Sequence, residues 1–361
     1  MKKLVLSGFF GFDNAGDEAI LFTVIQQIRK RGYEPIVLSA NPAKTSALYG
    51  VESVHRMKLK EIFSAIKRAD GLISGGGSLL QDVTSAQNSI YYLGIMQIAF
   101  FLKKPVFVFA QGIGPLQRKG LRRLTGSLLN RATYLSVRDD DSKSLLRACG
   151  VKKEIDVTVD PVLQFELMDK PTLPSSLETF LHKKPIVFSL RSWHNDEQLI
   201  PYYQEVIRTL NEKGIPVLLL PFHQPSDTTF AQKVQTSIEN PLLYTCQEPL
   251  SLEQMFSCIQ QSSMVYGMRL HALIFAASQN IPFVGLSYDP KIDAFLSLYK
   301  QTPIATVESF NANQTLGVIY ETMNHLDNEQ EKLHSIREEV QRLLDIPLNA
   351  IDIHFSSPSK R

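Results

Sequence analysis

The 361-residue sequence predicts an α/β fold of two tandem doubly wound domains joined by a proline-rich connection. Three observations carry that expectation. Short apolar runs alternate with longer segments of helical periodicity from the first residue onward, the pattern of parallel strands linked by crossover helices. The alternation stops between Asp160 and Pro185, where Pro161, Pro171, Pro174 and Pro185 disfavour helix interiors and central strands. It then resumes, and a chain with 44% hydrophobic residues has material for two cores of ordinary size.

The first series places buried strands at 4–8, 35–40, 71–75, 106–110 and 134–137, and the second at 186–190, 217–220, 242–245, 264–266 and 283–286. The expected boundaries are 1–165 for an N-terminal domain, 166–184 for the connection, 185–312 for a C-terminal domain, and 313–361 for a closing helix with a polar tail. From 313 to 344 acidic and basic residues interleave as on a solvated helix face. The first twelve residues imitate a signal peptide, but no small-residue cleavage site follows and Asp13, Asn14 and Asp17 come at once, so a buried first strand is expected. The apolar stretch 90–102 is short for a bilayer crossing and closes on Lys103, Lys104 and Pro105, as a core helix would.

Lysine plus arginine number 38 against 36 acids, so no global charge points to nucleic acid. Cys149, Cys246 and Cys258 are odd in number and lack a C-x-x-C spacing. Neither a disulfide framework nor a zinc site is indicated, and a reducing cytoplasm fits.

Open α/β sheets bind ligands beyond the carboxyl ends of their strands, and two such domains in tandem suggest a cleft, so the loops after each strand are the ones to read. Where the strand at 264–266 gives way to an apolar helix stand Arg269 and His271. A helix start favours anions, Arg269 offers a planar fork for a carboxylate, and His271 can exchange a proton near neutrality. The same pair could simply cap and solvate the helix. After the first strand, Asn14 and Asp17 offer polar side chains at a helix entrance, with capping as the alternative for each. The G-x-G-x-x-G fingerprint is absent there, which disfavours NAD and FAD.

Gly75, Gly76 and Gly77 end another strand and could form a nest for an anion or a sugar hydroxyl, with Gln81 and Asp82 just beyond. Gln111-Gly112-Ile113-Gly114-Pro115 repeats the theme on the same sheet edge. Arg118, Lys119, Arg122 and Arg123 alternate with Leu121, Leu124 and Leu128 as on an amphipathic helix, which could meet anionic lipid or a diphosphate, or be a solvated face. Asp139-Asp140-Asp141 contains an Asp-x-Asp, but at a helix start such acids serve as caps, and no metal is expected. Arg191, His194 and His223 follow strands of the second series, and Lys291 follows the strand after the Arg269 junction.

Asn14, Gly16 and Asp17, Ser74-Gly75-Gly76-Gly77-Ser78, Gln111 to Pro115, Ser136-Val137-Arg138-Asp139 and above all Arg269-Leu270-His271, in this order, resemble the polysaccharide pyruvyl transferase family. Within it the chain looks most like the bacterial cell-surface-anchoring pyruvyl transferases. The resemblance implies two Rossmann-like domains in a GT-B-like arrangement with an interdomain cleft. It further implies phosphoenolpyruvate as co-substrate with no cofactor, and a ketal joined to two hydroxyls of one sugar. For the subgroup it implies a lipid-diphosphate-linked acceptor whose N-acetylmannosamine is bridged at the 4- and 6-hydroxyls, handled by a cytoplasmic enzyme at the inner membrane face.

On this reading His271 is the general acid, Arg269 and Lys291 hold the donor's carboxylate and phosphate, and Arg191 and His223 add donor contacts. Asp17 accepts a hydroxyl proton, while Asn14, Gly76, Gly77 and Gln111 bind the acceptor. Two rivals stand beside it: a nucleotide-sugar glycosyltransferase or 2-epimerase on the same architecture, and a non-catalytic carbohydrate-binding protein. A single tryptophan, Trp193, makes a stacking-based sugar module less attractive.

Overall fold

The computed structural model describes residues 1–83 and 85–356, so the end of the expected polar tail, 357–361, lies outside the described residues. In the first half, strands β1 (Lys2–Ser7), β2 (Tyr33–Ser39), β3 (Glu52–His55), β4 (Gly71–Gly75), β5 (Ser78–Leu80), β6 (Val106–Ile113), β7 (Tyr134–Val137) and β8 (Asp156–Val157) form one parallel sheet. Its order is β3-β2-β1-β4-β6-β7-β8, with β5 added alongside β6. The second half builds a parallel sheet from β9 (Ile186–Ser189), β10 (Val217–Leu219), β11 (Leu243–Thr245), β12 (Met264–Gly267), β13 (Phe283–Ser287) and β14 (Ala305–Thr306), in the order β11-β10-β9-β12-β13-β14.

Both orders start in the middle and wind outward in two directions, so each sheet has a switch point beside its first strand. In the first sheet it lies between β1 and β4, where Ser7 is level with Ser74. In the second it lies between β9 and β12, where Ser189 is level with Gly267. The central strands are apolar on both faces because helices cover both. Val5, Leu72 and Val108 join one core and Ile186, Phe188 and Tyr266 the other. The edge strand β3, Glu-Ser-Val-His, is only half-buried, which is why no apolar run announced it.

The described chain divides into two units, one of residues up to 165 together with 340–356, and one of 166–339. The closing stretch expected from 313 as one helix is two, Ala312–Asn324 and Leu326–Ser356. The end of the second belongs with the first unit because its side chains are tied there. Arg31 donates to Asn349 at 2.9 Å and forms an ion pair with Asp352, and the Tyr33 hydroxyl donates to Asp352 at 2.8 Å. Leu344, Leu348 and Ile351 of the same helix are buried. No described helix is long and apolar enough to cross a membrane. The stretch at 90–102 forms most of helix Ala86–Phe101, whose Tyr92, Leu93, Ile95, Met96 and Ala99 enter the core.

Candidate functional site

In the second unit Arg191, His223, Arg269, His271 and Lys291 all leave the carboxyl ends of β9, β10, β12 and β13. Because Ser189 and Gly267 are register partners, Arg191 and Arg269 each stand two residues past neighbouring strands, at the switch point. Arg269 is the N-cap of helix Leu270–Ser278, and His271, half-buried, sits in its first turn.

The arginine's fork is closed on a carboxylate that the sequence reading did not single out. Arg269 Nε donates to Asp227 Oδ2 at 2.9 Å and its Nη2 donates to Oδ1, a bidentate pair. Asp227 is 1% exposed against 20% for Arg269. Its Oδ2 also accepts from the backbone N–H groups of Phe222, at 3.3 Å, and His223, at 3.0 Å. Asp227 therefore fixes the guanidinium's plane and ties the loop after β10 to the Arg269 junction. Two of five guanidinium N–H donors are used, and three remain for a ligand. His223 is held by the same knot, its Nδ1 3.2 Å from Ser226 Oγ.

Lys291 lies in the first turn of helix Pro290–Leu298 and pairs with that helix's own N-cap, Asp289, at 3.2 Å. Arg191 differs from both. Its guanidinium lies 4.3 Å from the Tyr288 ring centre and 5.0 Å from that of Trp193. It has no carboxylate partner among the described residues, and its buried Nε has no hydrogen-bond partner there. Tyr288 is also 6.0 Å from Lys291 Nζ, so one ring faces both cations. Arg191 is the least compensated charge of the three, a rank that sequence spacing did not reveal.

In the first unit the residues at the switch point between β1 and β4 serve each other. Asn14 caps helix Ala15–Lys30, its Oδ1 accepting from Gly16 N at 3.0 Å and Asp17 N at 3.4 Å. Only its Nδ2 is left for a ligand. Gly76 and Gly77 have φ of +86° and +72°, and a Cβ at Gly77 would lie 2.6 Å from Asp17 Oδ1. Glycine is needed here both for the left-handed backbone and for the approach of half-buried Asp17. Glu18 is structural: its carboxylate accepts from Gly11 N and the Tyr49 hydroxyl, each at 2.7 Å.

Gln111 is fully buried, and neither carboxamide atom has a hydrogen-bond partner among the described residues. The hydroxyls of Ser7 and Ser74, on the same sheet edge, are likewise unpartnered there. Asp82 does not offer itself to a sugar. It accepts from Gln117 N at 2.7 Å and Arg118 N at 2.8 Å, and these backbone donors hold its carboxyl below the usual range. Asp139 caps helix Asp140–Ala148 by accepting from Ser142 N at 2.7 Å. Arg138 donates to Ser78 Oγ at 2.9 Å and faces Asp160 at 3.5 Å, joining the ends of β5 and β7.

A family model described as polysaccharide pyruvyl transferase matches residues 14–290. No curated protein matches the sequence. Solved structures match across the whole chain at low identity. A putative UDP-N-acetylglucosamine 2-epimerase from Listeria monocytogenes is 13% identical, with a TM-score of 0.62 over 100% of this chain and 98% of that one. A glycosyltransferase from Rickettsia africae is 11% identical, with a TM-score of 0.63 over 99% of each chain. The UDP-GlcNAc 2-epimerase from Neisseria meningitidis, solved with UDP-GlcNAc bound, is 14% identical, with a TM-score of 0.60 over 97% and 99%. These likenesses show the fold, paired parallel-sheet α/β domains of the GT-B type.

Proposed function

Because the chain belongs to the polysaccharide pyruvyl transferase family, we propose that it transfers pyruvyl from phosphoenolpyruvate to the 4- and 6-hydroxyls of N-acetylmannosamine in a lipid-linked secondary cell-wall polysaccharide precursor, releasing phosphate. The observation that carries this reading is the Arg269-Leu270-His271 junction at a sheet switch point, with its arginine locked in plane by Asp227.

The chemistry suits these residues. His271 protonates the methylene carbon of the enol ester, and the first sugar hydroxyl attacks the resulting oxocarbenium-like carbon, losing its proton to a base. The C–O bond to phosphate then breaks as the second hydroxyl attacks and loses its proton, closing the ketal. Arg269 presents its remaining donors to the carboxylate or phosphate of the donor. Arg191 and Lys291 neutralise the departing phosphate, and His223 lines the same loop. Asp17 is the candidate base, with Asn14, Gly76, Gly77 and Gln111 on the acceptor side.

Phosphate release requiring both phosphoenolpyruvate and a lipid-linked disaccharide, with the mass gain of the product recorded, tests the reading. His271→Ala should abolish turnover while leaving donor binding intact. Thermal shift separates the nucleotide-sugar rival, which some of the fold's relatives represent. Stabilisation by a uridine diphosphate sugar but not by phosphoenolpyruvate would replace the pyruvyl reading.

A further inference from the structure

Large apolar side chains exposed on a folded surface are ordinarily scattered. Here five lie on or next to the segments that one buried cation of the first unit joins. Arg56 lies with its guanidinium 4.4 Å from the Tyr91 ring centre, 5.0 Å from Phe12, 5.5 Å from Tyr92 and 5.9 Å from Phe9. Its Nη2 donates to the Tyr92 hydroxyl at 3.4 Å, and the Tyr91 hydroxyl donates to its carbonyl at 2.8 Å. The buried Nη1 has no hydrogen-bond partner, and no carboxylate pairs with Arg56 among the described residues. The arginine thus rivets three segments together: the loop after β1, the turn after β3 and helix Ala86–Phe101.

From those segments and the helix that follows the turn come Phe12, Met57, Leu59, Phe63 and Ile90, all exposed, Met57 and Leu59 by 67% each. Leu59 and Phe63 share a face of helix Leu59–Arg68, while Ile62, Ala65 and Ile66 supply its buried face. Exposed Lys58, Lys60 and Lys67 accompany the apolar group, against Glu61, which pairs with Lys58 at 2.9 Å, while Arg68 is paired with Glu52. Next to Phe12, Asp13 is matched by Lys44 at 2.6 Å.

We propose that this face docks on an anionic phospholipid bilayer, Met57, Leu59 and Phe63 entering the interface while Lys58 and Lys60 meet lipid phosphates. An apolar centre with a cationic rim complements such a membrane. It does not complement a second copy of itself, which would press lysines against lysines. The surface is distinct from the basic helix Lys119–Leu129, where Leu121 and Leu128 are buried and Leu124 is the exposed leucine. It neither needs nor assumes the proposed reaction.

Vesicle sedimentation of the full chain tests it. The protein should pellet with phosphatidylglycerol-containing vesicles and not with pure phosphatidylcholine, and binding should weaken as salt rises. Met57→Ser/Leu59→Ser should lower the bound fraction at limiting lipid by about tenfold with an unchanged circular-dichroism melt. Lys58→Glu/Lys60→Glu, changed only at solvent-facing charges, provides a second variant that should also lose binding. Parent protein left in the supernatant would overturn the proposal. So would binding that survives both variants yet disappears in Arg122→Ser/Arg123→Ser. A dimer of the parent chain that Met57→Ser/Leu59→Ser converts to monomer, without vesicle binding, would assign the face to a second copy instead.

Discussion

Replacing Asp227 by asparagine removes one charge from the knot that orients Arg269 while keeping the side chain's size. The carboxylate is 1% exposed and accepts both arms of the guanidinium, besides the Phe222 and His223 amides. Removing one partner of a buried ion pair costs about 3–5 kcal/mol, because the other charge is left uncompensated. Arg269 keeps 20% of its surface in water and asparagine still accepts one bond, which brings the expectation to about 2–3 kcal/mol. For a unit the size of 166–339 this corresponds to a fall in melting temperature of roughly 5–10 °C.

A double-mutant cycle isolates the pair from general damage. With Asp227→Asn, Arg269→Gln and the double variant measured by urea denaturation, the two single losses should not add, leaving a coupling of about 1.5–3 kcal/mol. Turnover should fall about 10- to 100-fold in Asp227→Asn, since an unpinned guanidinium loses its orientation. Additivity within about 0.5 kcal/mol, together with unaltered turnover, would refute the claim that Asp227 holds Arg269 in place.

Gly77→Ala forces a left-handed backbone on alanine and drives a methyl into Asp17, so stability should fall by about 1–2 kcal/mol in a urea melt, and acceptor KM should rise. Tyr288→Ala removes one wall of the Arg191 clasp; steady-state kinetics should show KM for phosphoenolpyruvate rising about five- to tenfold with kcat less affected. Partial desolvation beside Phe107 and Phe355, then the nearby Lys2, lowers the imidazole of His354, which is otherwise exposed, from its usual 6.5. The unfolded chain then binds this proton more readily, so the stability is complete above the unfolded pKa and is lost as pH falls through the folded one. Urea midpoints recorded from about pH 7.5 down to about pH 5 should decline, and His354→Gln should make that decline shallower.

The fold was legible wherever burial on both faces left an unbroken apolar run. The strands read at 71–75 and 134–137 coincide with β4 and β7, and most other central strands shift by a residue or two, while β6 runs on to Ile113. The edge strands β3, β8 and β14 bury no residue fully and carried no such run, whereas the edge strand β11 buries Leu243 and Thr245 and was legible. The Arg269-His271 junction could be found because glycine, arginine and histidine interrupt an apolar stretch, and the capping of Asn14 and Asp139 because helix starts have local chemistry.

By itself, then, the sequence determined two parallel α/β sheets and which loops end their strands, since periodicity and turn chemistry are written over spans of a few residues. Tertiary structure alone decided which charges are compensated. Asp227 stands 42 residues before the arginine it neutralises, Arg191 meets Tyr288 from the carboxyl end of another strand, and Arg56 gathers rings from two other segments. Such pairings follow from strand order and the level at which neighbouring strands end, quantities that no local pattern encodes.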